Sequence, residues 1–221
     1  LESEAASTPE KPFESVYYMT YEDDYDGSLK PRKNIDYTAA SAAARKSALA
    51  DGFDKIFAEH KAEWGKYWDG VSVSIPDEKL ERAYYTALYH MKCITTRWGF
   101  PVGIFAGSHF GGAYFGWDET FCMLALASSG KFDLSRVSVD FRKTVLPIAM
   151  NRVGKYCKAK RITVGARYTW QTYDPKFAEL EKATPGYWIE HIFHMSNIAL
   201  QSWTQYLYTN DRAYLEKTVY P

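Results

Sequence analysis

The sequence predicts a protein built mainly of α-helices. The stretch DYTAASAAARKSALAD, residues 36–51, is rich in alanine, which has the highest helix propensity of the amino acids. Several later stretches place apolar residues three and four positions apart, the spacing of a helix with one buried face. The sequence contains no alternation of strands and helices, no heptad seam and no exact repeat. These observations together favour helical hairpins over a parallel sheet or a coiled coil.

The N-terminal third predicts one strand and two helices. Residues 15–25 are β-branched and aromatic before they become acidic, which indicates a strand that ends in a turn at residues 26–27. A helix over 36–51 is interrupted at Gly52, because glycine punctuates helices. A second helix follows to Trp68, with apolar side chains at helical spacing.

The middle of the chain predicts a short strand, a helix and an ordered loop. Residues 71–75, VSVSI, alternate in the manner of a strand. Pro76 and the two acidic residues after it are typical of a helix start, so a helix is expected over residues 77–97. Residues 98–116 are too rich in glycine for a helix and too apolar for a flexible linker, which indicates a loop packed over another part of the molecule.

The following segment predicts two helices and a second long loop. A helix over residues 117–129 should end at Gly130, and Asp133 should cap the next helix. Pro147 should kink or end that second helix. The second loop covers residues 161–186.

The last long helix is predicted over residues 187–209 and is apolar on nearly every face. Such a helix needs neighbours on several sides, and few residues follow it before a further helix begins at residues 212–221. We therefore expect this chain to form part of a larger domain.

Composition and motif searches exclude several function classes. The 221 residues carry 27 basic and 27 acidic side chains, so the chain lacks the positive charge expected of a nucleic-acid binder. No stretch is long and apolar enough to span a membrane. His191 and His194 lie beside Glu190, but no third ligand is evident, so we expect no metal. We expect no cofactor either.

The three cysteines lie far apart, without the paired spacing of a zinc ribbon or the density of a disulfide framework. They are therefore predicted to be buried free thiols. They are Cys93, Cys122 and Cys157. The compartment in which the protein works stays open.

Two pairs of neighbouring residues are the best candidates for binding a ligand in a chain that is 17% aromatic. Trp117-Asp118 lies where the glycine-rich loop meets a helix, and Trp170-Gln171 lies in the second loop, shortly after Arg167. Each pair combines a flat apolar face with a hydrogen-bonding group, which suits a sugar ring. The alternative is structural, with Asp118 as a helix N-cap and each tryptophan in the core.

The run GGAYFGWDETFCMLAL, residues 111–126, resembles the G-H-V-F-W-D-T-E-x-F signature of glycoside hydrolase family 65, the family of trehalases and disaccharide phosphorylases. The segment ARYTWQTYD is similar to the sugar-binding W-E-S loop of that family. The resemblance extends over residues 50–221 through two further segments, GFDKIFAEHKAEWGKYWDGVSVSIPDEKLERAYYTALYHM and EHIFHMSNIALQSWTQYLYTNDRAYLEKTVYP.

The resemblance implies an (α/α)6 barrel of six helical hairpins that is incomplete in this chain. Residues 1–35 would then be a tail and the last strand of a preceding β-sandwich. Residues 36–70 would be linker helices, and residues 71–221 the N-terminal part of the catalytic barrel.

The resemblance also implies substrate-binding roles for the two pairs. Trp117 and Asp118 would hold the glycosyl unit, helped by Trp170, Gln171 and Arg167. The chain departs from the family by reading W-D-E-T for W-D-T-E and by placing Gln171 where the family has glutamate.

The catalytic residues implied by the resemblance are not assigned within this chain, because the general acid and base would lie beyond Pro221. The implied reaction is inversion at α-linked glucosides or related disaccharides, and we favour hydrolysis over phosphorolysis. The alternatives are a disaccharide phosphorylase, another six-hairpin glycosidase, a polysaccharide lyase or a non-catalytic carbohydrate-binding module. We expect two partners, a carbohydrate and the rest of the parent polypeptide, and we expect neither nucleic acid nor a membrane. A homodimer is a further candidate assembly.

Overall fold

A computed structural model describes residues 8–10, 15–23, 34–101, 114–156, 165–169, 171–172 and 193–220. These residues are mainly helical, which confirms the predicted class. The chain divides into two compact units. Unit 1 comprises Leu1–Asp26 and Pro31–Asp69, and unit 2 comprises Gly27–Lys30 and Gly70–Pro221.

Unit 1 is built around helix α1, Tyr37–Trp68. The Asp36 side chain caps it by accepting a hydrogen bond from the Ala39 amide at 2.9 Å. Gly52 lies inside α1 with φ 76° and ψ 167°, a non-helical conformation. The two predicted helices are therefore present and meet at the predicted glycine.

The predicted strand at residues 15–25 is wrong over the described residues 15–23, which have no regular secondary structure. A strand needs a paired neighbour for its backbone hydrogen bonds. The Thr20 hydroxyl instead donates to the Ser41 carbonyl of α1 at 3.3 Å. The predicted turn at residues 26–27 lies outside the described residues.

Unit 2 contains most of the secondary structure. Its elements in chain order are α2 (Glu78–Ile94), β1 (Tyr114–Phe115), α3 (Gly116–Ser128), α4 (Phe132–Ser135), α5 (Val137–Tyr156), β2 (Gln171–Thr172), α6 (Phe193–Thr209) and α7 (Arg212–Tyr214), which runs into a π-helical turn, Leu215–Val219. Strands β1 and β2 pair antiparallel.

The predicted strand at residues 71–75 is not formed. Side chains of α2 instead form hydrogen bonds with the backbone amide and carbonyl groups of this segment. The Tyr85 hydroxyl accepts from the Val73 amide at 2.9 Å and donates to the Val73 carbonyl at 3.1 Å. Glu81 accepts from the Ile75 amide at 2.8 Å. The segment is therefore held extended along a helix and needs no second strand.

Helices α3 and α6 run in the same direction, with α5 running in the opposite direction. Gly116, at the start of α3, accepts a hydrogen bond from Asn197 in the first half of α6. Later in both helices, Ser135 accepts from Gln205 of α6 and donates to the carbonyl of Met123 in α3. At the start of α5, Asp140 accepts from Tyr214, which follows α6. Unit 2 is thus a set of packed helical hairpins.

The buried face of α6 is polar, which corrects the prediction that the helix is apolar all round. Five of its polar side chains are buried together with Ile198, while five of its large apolar side chains are exposed. The buried polar residues are His194, Asn197, Gln201, Ser202 and Gln205, and the exposed apolar ones are Phe193, Leu200, Trp203, Leu207 and Tyr208.

The core of unit 2 consists of two apolar clusters contributed largely by α3 and α5. One contains Phe100, Met123, Leu126 and Val139, and the other contains Tyr114, Phe141 and Val145. Because α5 supplies residues to both clusters, it fixes α3 relative to β1.

Around α5 the predicted cap at Asp133 is wrong, and of the two outcomes predicted at Pro147 the helix end is excluded. Asp133 lies inside the short helix α4, not at a cap, and its side chain is almost fully exposed. Helix α5 continues through Pro147 to Tyr156. By contrast, α3 ends beside Gly130, whose φ of 74° suits glycine at a helix end, as predicted.

Within the described residues, none of the helices combines the length and the apolar character required to traverse a lipid bilayer.

Candidate functional site

The pairing of β1 with β2 brings the backbone of Gln171 next to the segment that leads into Trp117. In this register Phe115 lies opposite Gln171, and Tyr114 lies opposite Thr172. Trp117 follows Phe115 by two residues, at the start of α3. Paired Cα atoms in antiparallel strands lie about 5 Å apart. The backbones that carry Trp117-Asp118 and Gln171 are therefore neighbours, although 54 positions separate residues 117 and 171 in the chain.

Trp117 presents its indole ring to solvent. Its side chain is 53% exposed, although it lies beside a buried β-ribbon. Two phenylalanines contact it edge to face: Phe121, with ring centroids 5.5 Å apart, and Phe193, with ring centroids 6.1 Å apart. These contacts restrict the indole orientation while leaving ring surface available to a ligand.

Asp118 lies in the first turn of α3 and is partly exposed. The N-cap of this helix is Phe115, whose side chain makes no capping hydrogen bond. The alternative prediction that Asp118 serves as the N-cap is therefore wrong. A carboxylate in the first helical turn is stabilised by the helix dipole, and Asp118 can accept hydrogen bonds from a ligand.

Glu119 faces away from this surface and anchors the start of the glycine-rich loop. Its carboxylate accepts from Arg142 at 2.6 Å and from the Phe100 amide at 3.3 Å, and all three residues are buried. Burial raises the pKa of Glu119, while Arg142 and the Phe100 amide oppose that rise. Gly99, with φ 154°, passes so close that a Cβ there would collide with the Glu119 carboxylate.

Both described ends of the glycine-rich loop lie close together near the start of α3. The Thr96 and Tyr114 hydroxyls are 3.0 Å apart, and the Trp98 and Tyr114 rings are in contact. The loop therefore leaves and returns at the same place, beside the candidate site. Residues 102–113 lie outside the described residues.

Arg167 is held against α5 by its backbone. Its amide donates to the Ala149 carbonyl at 2.9 Å, and its side chain is partly exposed. The next residue, Tyr168, donates its hydroxyl to the Arg142 carbonyl at 3.0 Å. Trp170 and the side chain of Gln171 lie outside the described residues, so the structure places Gln171 by its backbone alone.

Sequence reasoning missed the residues that support this surface. They are Arg142 and three polar side chains that face the start of α3, namely His194, Asn197 and Gln201. A signal was present, because these three recur at spacings of three and four on a helix that also carries many large apolar residues. That pattern indicates one polar stripe, but it does not say that the stripe faces inward.

No group of three or more His, Cys, Asp or Glu side chains is placed to hold a metal ion within the described parts of the chain.

Comparison with known proteins found a distant relative. The chain is 25% identical over 193 residues to nigerose phosphorylase of Lachnoclostridium phytofermentans, a match that covers 80% of this chain and 25% of that protein. The chain thus spans about a quarter of the length of the curated relative it matches. No family model and no solved structure matches. The similarity supports a carbohydrate-active enzyme.

Proposed function

We propose that this chain is the saccharide-binding part of an inverting glycoside hydrolase that acts on α-linked glucosides or related disaccharides. The register of β1 and β2 carries the proposal, because it sets the backbone of Gln171 beside the segment that leads into Trp117 and Asp118. The indole ring of Trp117, two residues after this segment, is 53% exposed and so is available for stacking on a ligand.

The proposed site grips a pyranose ring by two complementary kinds of contact. The exposed face of Trp117 stacks on the apolar C–H face of the sugar, and Trp170 supplies a second aromatic surface. Asp118 accepts bidentate hydrogen bonds from neighbouring hydroxyls, and Gln171 and Arg167 contribute further polar contacts. Gln171 is neutral where the similar family has glutamate, so it orients hydroxyls without stabilising a positive charge on the sugar.

The proposed architecture is the N-terminal part of an (α/α)6 barrel. The parallel direction of α3 and α6, with α5 antiparallel to both, supports it. In such an arrangement the first turns of α3 and α6 lie at the same end, where Trp117 contacts Phe193. Ligand sites in helical folds concentrate at such ends, next to long connections.

We propose no general acid or base among these 221 residues, because the resemblance assigns both roles to other residues of the parent polypeptide. An inverting enzyme needs two carboxyl groups about 6.5–9.5 Å apart, one to protonate the leaving oxygen and one to activate water. We therefore expect these residues to bind saccharide without cleaving it.

A disaccharide phosphorylase is the second candidate, favoured by the similarity to nigerose phosphorylase. In that reaction inorganic phosphate replaces water as the attacking group, and the product is a glycosyl phosphate. Incubating the full-length parent polypeptide with nigerose, with and without phosphate, separates the two candidates. A glycosyl phosphate that forms only with phosphate assigns phosphorolysis, whereas free sugar in both samples assigns hydrolysis.

Calorimetric titration of the 221-residue chain with glucose, trehalose, kojibiose and nigerose tests the proposed site. Trp117→Ala should weaken binding of the best ligand about tenfold, since aromatic residues dominate such contacts. Trp203→Ala is the matched control, because Trp203 is a comparably exposed tryptophan on α6 and is expected to leave affinity unchanged. Equal affinity in the native chain and the Trp117→Ala variant would remove Trp117 from the site.

A further inference from the structure

The carbonyl of Gly116, the first residue of α3, is held by side chains of α6. Asn197 Nδ2 donates to it at 2.6 Å and Gln201 Nε2 donates to it at 2.5 Å. Both amide side chains are buried. Two donors from another helix therefore converge on one backbone oxygen, at the residue directly before Trp117.

Thr120 closes these contacts into a ring. Its hydroxyl lies 3.0 Å from Asn197 Oδ1, 2.7 Å from Gln201 Nε2 and 2.9 Å from the Gly116 carbonyl. The hydroxyl has one proton and two acceptor positions. It can donate to Asn197 while accepting from Gln201, whose second amide proton goes to Gly116. Both amides and the Thr120 hydroxyl thus each donate within the ring, while Gln201 Oε1 is buried without a hydrogen-bond partner.

The start of α3 is tied to α6 by this ring and has no side-chain N-cap hydrogen bond of its own. His194 adds a steric restraint, since a Cβ at Gly116 would collide with its imidazole ring. Glycine therefore lets the two helices approach closely enough for both amides to reach the carbonyl. The peptide group between Gly116 and Trp117 is consequently fixed from α6.

We infer that Asn197, Gln201 and Thr120 are positioning residues for the saccharide site. They fix the peptide from which Trp117 and Asp118 project, and a binding constellation must be held to about 0.5 Å to retain affinity. None of the three is expected to touch the sugar. The inference rests on the proposed function for its effect on binding, and it also predicts a change at Trp117 that needs no ligand.

Gln205 provides a matched control on the same helix. It is buried like Gln201, and its Nε2 donates to the Ser135 hydroxyl at 2.6 Å. Both glutamines are therefore buried amides that link α6 to a neighbouring element. Only Gln201 reaches Gly116, so a general loss of packing would affect both variants alike.

The first experiment measures nigerose affinity by calorimetric titration of the 221-residue chain and its variants. Gln201→Ala and the isosteric Thr120→Val should weaken binding about tenfold. Thr120→Ser, which keeps the hydroxyl, and Gln205→Ala should bind as the native chain does. Equal losses in Gln201→Ala and Gln205→Ala would overturn the positioning role.

The second experiment reads Trp117 directly by fluorine NMR of chain labelled with 5-fluorotryptophan. Trp117→Phe identifies the Trp117 signal by its disappearance. That signal should shift in Gln201→Ala and Thr120→Val, and should stay in place in Gln205→Ala and Thr120→Ser. If the native chain binds no saccharide but the signal shifts as expected, the proposed function fails, while the role of these residues in fixing Trp117 stands. An unmoved signal in Gln201→Ala overturns the positioning role.

Discussion

Glu119 and Arg142 form a salt bridge in the interior of unit 2, with both side chains almost fully buried. Replacing Glu119 by glutamine leaves the guanidinium of Arg142 buried without a counter-charge. We expect Glu119→Gln to lower the free energy of unfolding by about 3–5 kcal/mol, the usual cost of breaking a buried ion pair. Urea denaturation followed by circular dichroism measures this change.

The double variant Glu119→Gln/Arg142→Met is the control for that prediction. It removes the buried charge together with its partner, so it should recover most of the lost stability. A double variant that is as unstable as the single one would show that packing, rather than the unpaired charge, causes the loss.

Two cysteines should differ in reactivity. Cys122 is partly buried, and burial, followed by the carboxylates of Glu119 and Asp118, raises the pKa of its thiol to about 11. The thiolate is the reactive form, so Cys122 should react slowly at neutral pH and about tenfold faster with each pH unit up to about 11. Cys93 is exposed, which corrects the prediction of a buried thiol, and it should react first.

Iodoacetamide labelling with peptide mass mapping measures both rates. A Cys157→Ser background removes the cysteine that lies outside the described residues. Equal labelling of Cys93 and Cys122 at neutral pH would contradict the burial assigned to Cys122.

At the scale of single residues, the sequence predicted Trp117 and Asp118 as candidates for ligand binding, but it did not predict the residues that surround them. Helical spacing places Glu119 two positions from Trp117 and so on a different face of α3. Its partner Arg142 could not be predicted, because the pairing of residues far apart in the chain depends on how helices pack. Arginine is ordinarily an exposed residue, and Arg142 is followed by a second basic residue, Lys143.

Helix α1 offers a test of its central break. Gly52 has φ 76° and ψ 167°, a conformation that is costly for any other residue. Gly65 lies in the same helix, and no atom would contact an added Cβ at either position. Gly52→Ala should lower the stability of unit 1 by about 1–3 kcal/mol, whereas Gly65→Ala should raise it by about 0.5–1 kcal/mol.

Thermal unfolding followed by circular dichroism compares these two variants. The opposite signs distinguish backbone strain from a general effect of adding a methyl group. If Gly52→Ala stabilises the unit as much as Gly65→Ala does, α1 is continuous through residue 52.

At the scale of elements, the sequence predicted long helices better than strands. Alanine content and helical spacing were sufficient for α1 and α3, because these signals are local. Strands β1 and β2 have two residues each, too few for any alternation to be visible. The strand expected at residues 71–75 did not form, because side chains of α2 accept hydrogen bonds from its backbone amides. The local sequence pattern does not reveal such contacts.

For the whole molecule, the mainly α class followed from the sequence, but the orientation of α6 did not. Its apolar residues predicted burial on every side, whereas its polar stripe lies inside and forms the ring around Gly116. Satisfied buried polar groups can specify one arrangement of helices. The approach of the Gln171 backbone to the segment before Trp117 likewise depends on strand pairing across more than 50 residues.

The outward side of α6 carries large apolar residues that are more than half exposed in this chain, among them Leu200 and Leu207. Extended apolar surfaces of this kind are uncommon on soluble monomers, so the chain should bind the dye ANS while folded. The double variant Leu200→Gln/Leu207→Gln should lower ANS fluorescence and change stability by no more than about 0.5 kcal/mol per site. As a control, Leu126→Gln at a fully buried position should unfold or severely destabilise unit 2. A similar loss of stability in the double variant would show that this side of α6 is packed in solution.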